Sequence, residues 1–194
     1  MKKILSMVII FACLLSLCSC GIAGYILEIG SLAIVDNFYR DYEQDPKVFH
    51  FEQMSITLTD GFYGESYETM ALYSSLNETI VTLEKLELLY LGYENGLSVE
   101  EYAELVRLDI SHNEFASFVD VTELSEVVSE NGIVYFEMYL ANSYGVKYLV
   151  SVDYSGDSLW LCYFGTYSDK YEEYRPHFLK WAASVEISNA NQEV

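Results

Sequence analysis

Two periodicities divide this chain. Met54, Ile56 and Leu58 alternate with Ser55 and Thr57, and a period of two predicts a half-buried strand. Asp60-Gly61 marks the turn that follows. Residues 70–73 and 79–86 read as the next two strands, with Asn77 as the turn residue between them. The period changes after Ser98. Ser98-Val99-Glu100-Glu101 has the residues of a capping box, in which Ser98 accepts the Glu101 N–H and Glu101 reaches back. Val99, Tyr102, Leu105, Val106 and Leu108 follow at near-helical spacing, predicting a helix that ends near Ile110, before Ser111 to Asn113.

The second half returns to strands over residues 119–128, 133–141, 146–154 and 159–166, the first less regular than the rest. Asn131-Gly132 is a hairpin signal. Asn142 to Gly145 and Ser155 to Ser158 are the other turns. Four strands joined this tightly predict an antiparallel sheet. A final helix sets Tyr171, Tyr174, Phe178, Trp181 and Ala182 on one face, and Pro176 must lie near its first turn or kink it. Residues 185–187 offer a last short strand. Residues 36–50 mix acids with aromatics around Pro46 and read as a connector into the domain.

Ahead of the connector lies a different kind of segment. Lys2 and Lys3 precede an uncharged run from Ile4 to Leu17, which ends in Leu17-Cys18-Ser19-Cys20-Gly21. A basic start, a short apolar core and a small residue before the cut make a secretory signal. The ending resembles a bacterial lipobox, with cleavage after Ser19 and Cys20 as the lipidated N-terminus. Cys18 is the poorer candidate, because Leu17 before it is bulky. A diacylglyceryl group supplies the two chains that stable anchoring needs. The rival is an uncleaved anchor helix, since no charge interrupts residues 4–27. Both put the domain on the extracytoplasmic face of the membrane. Residues 21–35 place Ile22, Tyr25, Ile26, Ile29, Leu32 and Ala33 on one helical stripe. That stripe suits a first helix packed on the domain or a helix on the membrane surface.

Composition narrows the partners. The formal charge is −20, and removing residues 1–19, which hold Lys2 and Lys3 and no acid, takes it to −22. Such a chain repels nucleic acid and anionic headgroups. Basic proteins, cations and neutral ligands remain, and the blander reading is an acidic surface that keeps a secreted domain soluble. Hydrophobic residues make up 52% of the chain, enough to build a core despite the charge. Its 18 tyrosines suit half-exposed strands or aromatic binding surfaces. After cleavage and lipidation at Cys20, Cys162 alone stays free in the domain, so no internal disulfide forms. Its apolar neighbours, Leu159 to Phe164, mark it as a buried strand thiol.

Three motifs carry a resemblance: Met54-Ser-Ile-Thr-Leu-Thr-Asp-Gly-Phe62, Leu97-Ser-Val-Glu-Glu-Tyr-Ala103, and Tyr171-Glu-Glu-Tyr-Arg-Pro-His-Phe178 with Lys180-Trp181-Ala182 and Ser184-Val185. With the strand order, they resemble small surface lipoproteins of Gram-positive gut bacteria that carry a PsbP-like domain, a family named for the extrinsic protein of photosystem II. The resemblance covers residues 50–188, after a signal over 1–19 and an anchor and connector over 20–49, and before a tail over 189–194. It implies an α+β fold: an antiparallel β-sheet flanked by helices on both faces, an α/β/α sandwich. It also implies a binding or assembly factor rather than an enzyme. No binding motif matches, so no ligand residue carries over.

Catalytic signals are thin. His50, His112 and His177 do not pair at metal spacing. Asp109-x-Ser111-x-Asn113, with Asp120 twelfth, starts like a calcium loop, but Glu114 stands where the sharp turn wants Gly, and the twelfth position should be Glu. Gly64-Glu-Ser66-Tyr-Glu68 starts like a nucleophile elbow and lacks the closing Gly. Glu100-Glu101 and Glu172-Glu173 sit at helix starts, where acids favour the dipole. No catalytic, cofactor or metal residue is therefore expected, and Cys20 is the one modified position. The expected function is a membrane-anchored, non-enzymatic binding or assembly module of the cell envelope, with the lipid anchor in the membrane and a basic protein as partner. The alternatives are a cation-binding surface protein stabilised by calcium, or an envelope hydrolase gathering His177 or His112 with carboxylates.

Overall fold

The computed structural model describes residues 45–75, 78–112, 121–141 and 145–188. The elements run β1 (Pro46–Phe51), β2 (Met54–Thr59), β3 (Phe62–Ser66), β4 (Met70–Ser75), β5 (Ile80–Glu87), α1 (Leu88–Leu91) and α2 (Val99–Ser111). They continue as β6 (Val121–Leu124), β7 (Val128–Glu130), β8 (Ile133–Leu140), β9 (Val146–Ser155), β10 (Ser158–Tyr167), α3 (Tyr171–Ala182) and β11 (Glu186–Ile187).

The main sheet has the order β3-β4-β5-β10-β9-β8-β6, with β7 also on β8. All its pairs are antiparallel. Its centre is the β5–β10 ladder, which sets Leu161 opposite Glu84 and Cys162 opposite Leu83. Pleating sends alternate β10 side chains to opposite faces. Leu159, Leu161 and Tyr163 join Tyr102, Ala103, Val106 and Ile110 of α2 in one core. Trp160, Cys162 and Phe164 join Tyr171, Phe178 and Trp181 of α3 in the other. The fold is α+β, with helices on both faces of an antiparallel sheet.

The local sequence explains the elements. Ser98 caps α2 as a capping box, its Oγ accepting Glu101 N–H at 3.2 Å while Glu101 accepts Ser98 N–H at 2.8 Å. Asn131 and Gly132 both take positive φ, 54° and 80°, the geometry of the tight β7–β8 hairpin. Pro176 lies inside α3, past the first turn, where it cannot donate the bond back to Glu172.

The structure refines several of these elements. The strand over Met54–Thr59 does not enter the main sheet. It is the middle of a second, three-stranded sheet, β1-β2-β11, whose buried Met54, Ile56 and Leu58 face the α3-side core. The connector expected over 36–50 ends in a strand: Pro46 opens β1, an edge position where a missing N–H is harmless. Of the strand expected over 119–128, residues 119–120 lie outside the described residues and the rest divides between β6 and β7, because Ser125 leaves the ladder to bond Glu137, its N–H donating to the carbonyl and its Oγ accepting the N–H. Helix α1 was not foreseen. Asn77, Asn113, residues 142–144, the tail and everything before residue 45 lie outside the described residues.

One glycine is fixed by its neighbour. Gly165 pairs with Tyr148 across β9, and a Cβ there would stand 2.3 Å from the Tyr148 ring. Tyr148 is fully buried. Gly165→Ala is therefore expected to destabilise the fold by about 1–3 kcal/mol, read as a lower urea midpoint at unchanged slope. An unchanged midpoint would mean the ring can move aside.

Candidate functional site

The densest polar cluster lies where α3 crosses β8 and β9. Glu137 Oε1 accepts from Arg175 Nε at 2.7 Å, and its Oε2 stands 3.1 Å from Lys147 Nζ. Arg175 also donates to Tyr135 Oη at 3.0 Å. Lys147 lies 3.6 Å from Glu172 and 4.2 Å above the Tyr171 ring. Burial pushes the Glu137 carboxyl up, but the hydrogen bonds from Arg175 and Lys147 outweigh it and hold the group below its ordinary range. Burial, aided by the facing Glu137, raises the Tyr171 phenol. Each charge here is matched, so the cluster clamps α3 to the sheet and offers neither a free base nor a nucleophile.

A second polar pair lies on the opposite face. Glu84 is buried on β5 and accepts from Tyr163 Oη at 3.0 Å. Desolvation raises it to about 7, against which the Tyr163 bond acts. Beside it, Thr82 Oγ1 is buried without a partner among the described residues. Asp153 on β9 is likewise raised by burial, to about 6.

The residues singled out in the sequence do not converge. His50, His112 and His177 are exposed, on β1, at the end of α2 and on α3. His177 lies against the rings of Tyr174 and Trp181. Asp109 accepts from Tyr93 Oη, and Ser111 Oγ donates to the Leu108 carbonyl at 2.6 Å; Asn113, Glu114 and Asp120 lie outside the described residues. Gly64 and Ser66 belong to edge strand β3, where a Cβ at Gly64 would stand 1.9 Å from the Leu72 carbonyl oxygen. That glycine serves close strand approach rather than a nucleophile elbow. Cys162 is buried with its Sγ 3.8 Å from Met54 Sδ, and burial raises its thiol far above the ordinary range. Among the described residues, no group of three or more His, Cys, Asp or Glu could hold a metal ion. Cys20 lies outside them. No helix among them is long and apolar enough to cross a membrane.

What the structure does expose is acid. Lys85, Arg107, Lys147, Lys170 and Arg175 each face a carboxylate: Glu52, Glu104, Glu137, Glu78 and again Glu137. Glu87, Glu94 and Asp157 around α1, and Glu123, Glu126 and Glu130 along β6 and β7, are exposed and in no ion pair among the described residues. Within that acidic surface, α1 carries two exposed apolar side chains, Leu89 and Tyr90. Sequence pattern missed this surface because α1 is too short to show a period.

No protein-family model matches the sequence, and no curated protein does. Solved structures do match. The solution structure of cyanobacterial PsbP (CyanoP) from Synechocystis sp. PCC 6803 aligns with a TM-score of 0.54 at 13% identity, covering 79% of this chain and 99% of that one. The Ran-binding protein Mog1p of Saccharomyces cerevisiae aligns with a TM-score of 0.51 at 8% identity, covering 75% and 96%. LpqN of Mycobacterium tuberculosis, involved in cell envelope biogenesis, matches more loosely, with a TM-score of 0.41 at 11% identity over 77% and 94%. The first two share this chain's fold.

Proposed function

We propose that this chain is a non-enzymatic binding module, held at the extracytoplasmic face of a cell membrane through a lipid on Cys20, that engages a protein with a basic surface. The observation that carries the reading is the electrostatic imbalance. The cations that form ion pairs do so with acids of the same domain, which leaves exposed carboxylates flanking α1 (Glu87, Glu94 and Asp157) and on β6 and β7 (Glu123 and Glu130) outside any ion pair among the described residues. A field of one sign attracts and orients a partner of the other. Mog1p, which has this fold, is a Ran-binding protein, so the fold supports protein binding in at least one relative by structure. The anchor rests on the signal and lipobox pattern alone.

Crosslinking and capture from membranes, comparing the native chain with Cys20→Ala, tests both halves. The expected result is one defined protein partner with the native chain and none with Cys20→Ala, which leaves the membrane fraction. A Cys20→Ala chain that stays membrane-bound would overturn lipidation in favour of the anchor helix. Absence of any partner at low salt would overturn the binding reading.

A further inference from the structure

We propose that Leu89 and Tyr90 of α1 form an apolar plug that seats in a cleft rimmed by lysine and arginine on the partner protein. This rests on the binding-module reading above and places the contact. Three features support it.

The first is display on a fixed support. Leu88 is buried in the α2-side core, and its N–H donates to the Asp157 carbonyl at 2.9 Å, tying α1 to the β9–β10 hairpin. Gly92, at φ 69°, closes the turn by donating back to Leu88. The backbone is thus pinned from two sides while Leu89 and Tyr90 point outward, 84% and 82% exposed. No other exposed large apolar side chain among the described residues passes 59%. Two adjacent ones on a hydrogen-bonded turn need no ordering of the backbone on docking, a saving that suits an interface anchor.

The second is the rim. Glu87 and Glu94 flank α1 in sequence, and Asp157 lies on the hairpin that α1 touches; all three are exposed and unpaired with any described cation.

The third is elimination by charge. An anionic membrane surface would bring lipid phosphates against this rim, and a second copy docked by the same patch would bring the same carboxylates face to face; both are repulsive. An apolar cleft with a basic rim satisfies the plug and the rim together.

The test places photoreactive p-benzoylphenylalanine at position 90 of the full chain in membranes of the producing cell, with the same residue at position 180, an exposed position of α3, as control. The expected result is one heteromeric protein adduct from position 90 and none from 180. Leu89→Glu is expected to cut that adduct about tenfold. So is Glu87→Gln combined with Glu94→Gln and Asp157→Asn, and salt at about 0.5 M should weaken it several-fold. Leu89→Glu is decisive because it adds negative charge: attraction by charge alone would raise the yield. Leu89 is exposed enough for that variant to keep its melting temperature, which is checked in parallel. A homodimer, a lipid adduct, no adduct, or an adduct indifferent to Leu89→Glu would overturn the plug. If the partner captured through the Cys20 comparison survives Leu89→Glu at full yield, the plug fails while the binding module stands. If neither route captures a protein, both fail.

Discussion

Trp160→Ala is expected to cost about 3–5 kcal/mol, a large share of the roughly 5–15 kcal/mol that holds a domain together. Trp160 is fully buried at the centre of the main sheet. Its ring meets Phe51 edge-on at 6.1 Å, and Lys85 Nζ lies 5.3 Å from it. It therefore joins β10 of the main sheet to β1 of the small one. Alanine would leave a cavity between two sheets that cannot close up freely, because α3 packs against both β10 and β2 in the same core. Trp160→Phe should cost much less, about 1–2 kcal/mol. Nε1 is buried with no acceptor among the described residues, so losing the indole N–H removes no bond, only volume. Urea unfolding followed by far-UV circular dichroism checks both variants. A loss under about 1 kcal/mol for alanine would mean the two sheets are not packed through this ring.

How far such packing shows in the sequence depends on the range of the interaction. Elements set by neighbouring residues were legible. The Ser98 capping box, the Asn131-Gly132 hairpin and the alternation at Met54, Ile56 and Leu58 act over a few residues and appear where expected. Elements set by distant residues were not. Alternation at 54–58 says that one face of a strand is buried, not which sheet the strand joins, and β2 joins β1 and β11 instead of the main sheet. The β5–β10 ladder joins residues nearly eighty apart in the chain, and no local pattern encodes it. Helix α1 spans four residues, too few for a period, yet it carries the most exposed apolar pair. Glu84 falls in the strand expected over 79–86, with nothing local to single it out. Its burial follows only from β4 and β10 lying on either side.

Glu84→Gln is expected to stabilise the protein by about 2 kcal/mol at pH 8 and to change little at pH 4. Burial raises the Glu84 carboxyl to about 7 from an ordinary 4.5. Between those values the unfolded chain has lost the proton and the folded chain retains it. The folded state then binds more protons, so stability falls as pH rises through the window and the loss is complete above the folded value. At roughly 1.4 kcal/mol per unit the full term is about 3 kcal/mol. Glutamine removes the ionisation and still accepts from Tyr163. Its amide nitrogen needs an acceptor, which trims the gain; the unpartnered Thr82 Oγ1 stands two residues away on the same face. Asp153, raised to about 6 by burial, contributes with the same sign and is isolated by Asp153→Asn. Glu137 has the opposite sign. Held below its ordinary range by Arg175 and Lys147, it stabilises above the unfolded value, and that support is lost as pH falls through its folded one. Stability should therefore peak near the ordinary carboxylate range, about pH 4 to 4.5, since Glu84 and Asp153 withdraw support as pH rises from there and Glu137 withdraws it as pH falls. Urea unfolding at pH 4, 6 and 8 measures this directly. The gap between Glu84→Gln and the native chain should open with pH, and a constant gap would mean that Glu84 does not titrate in that range.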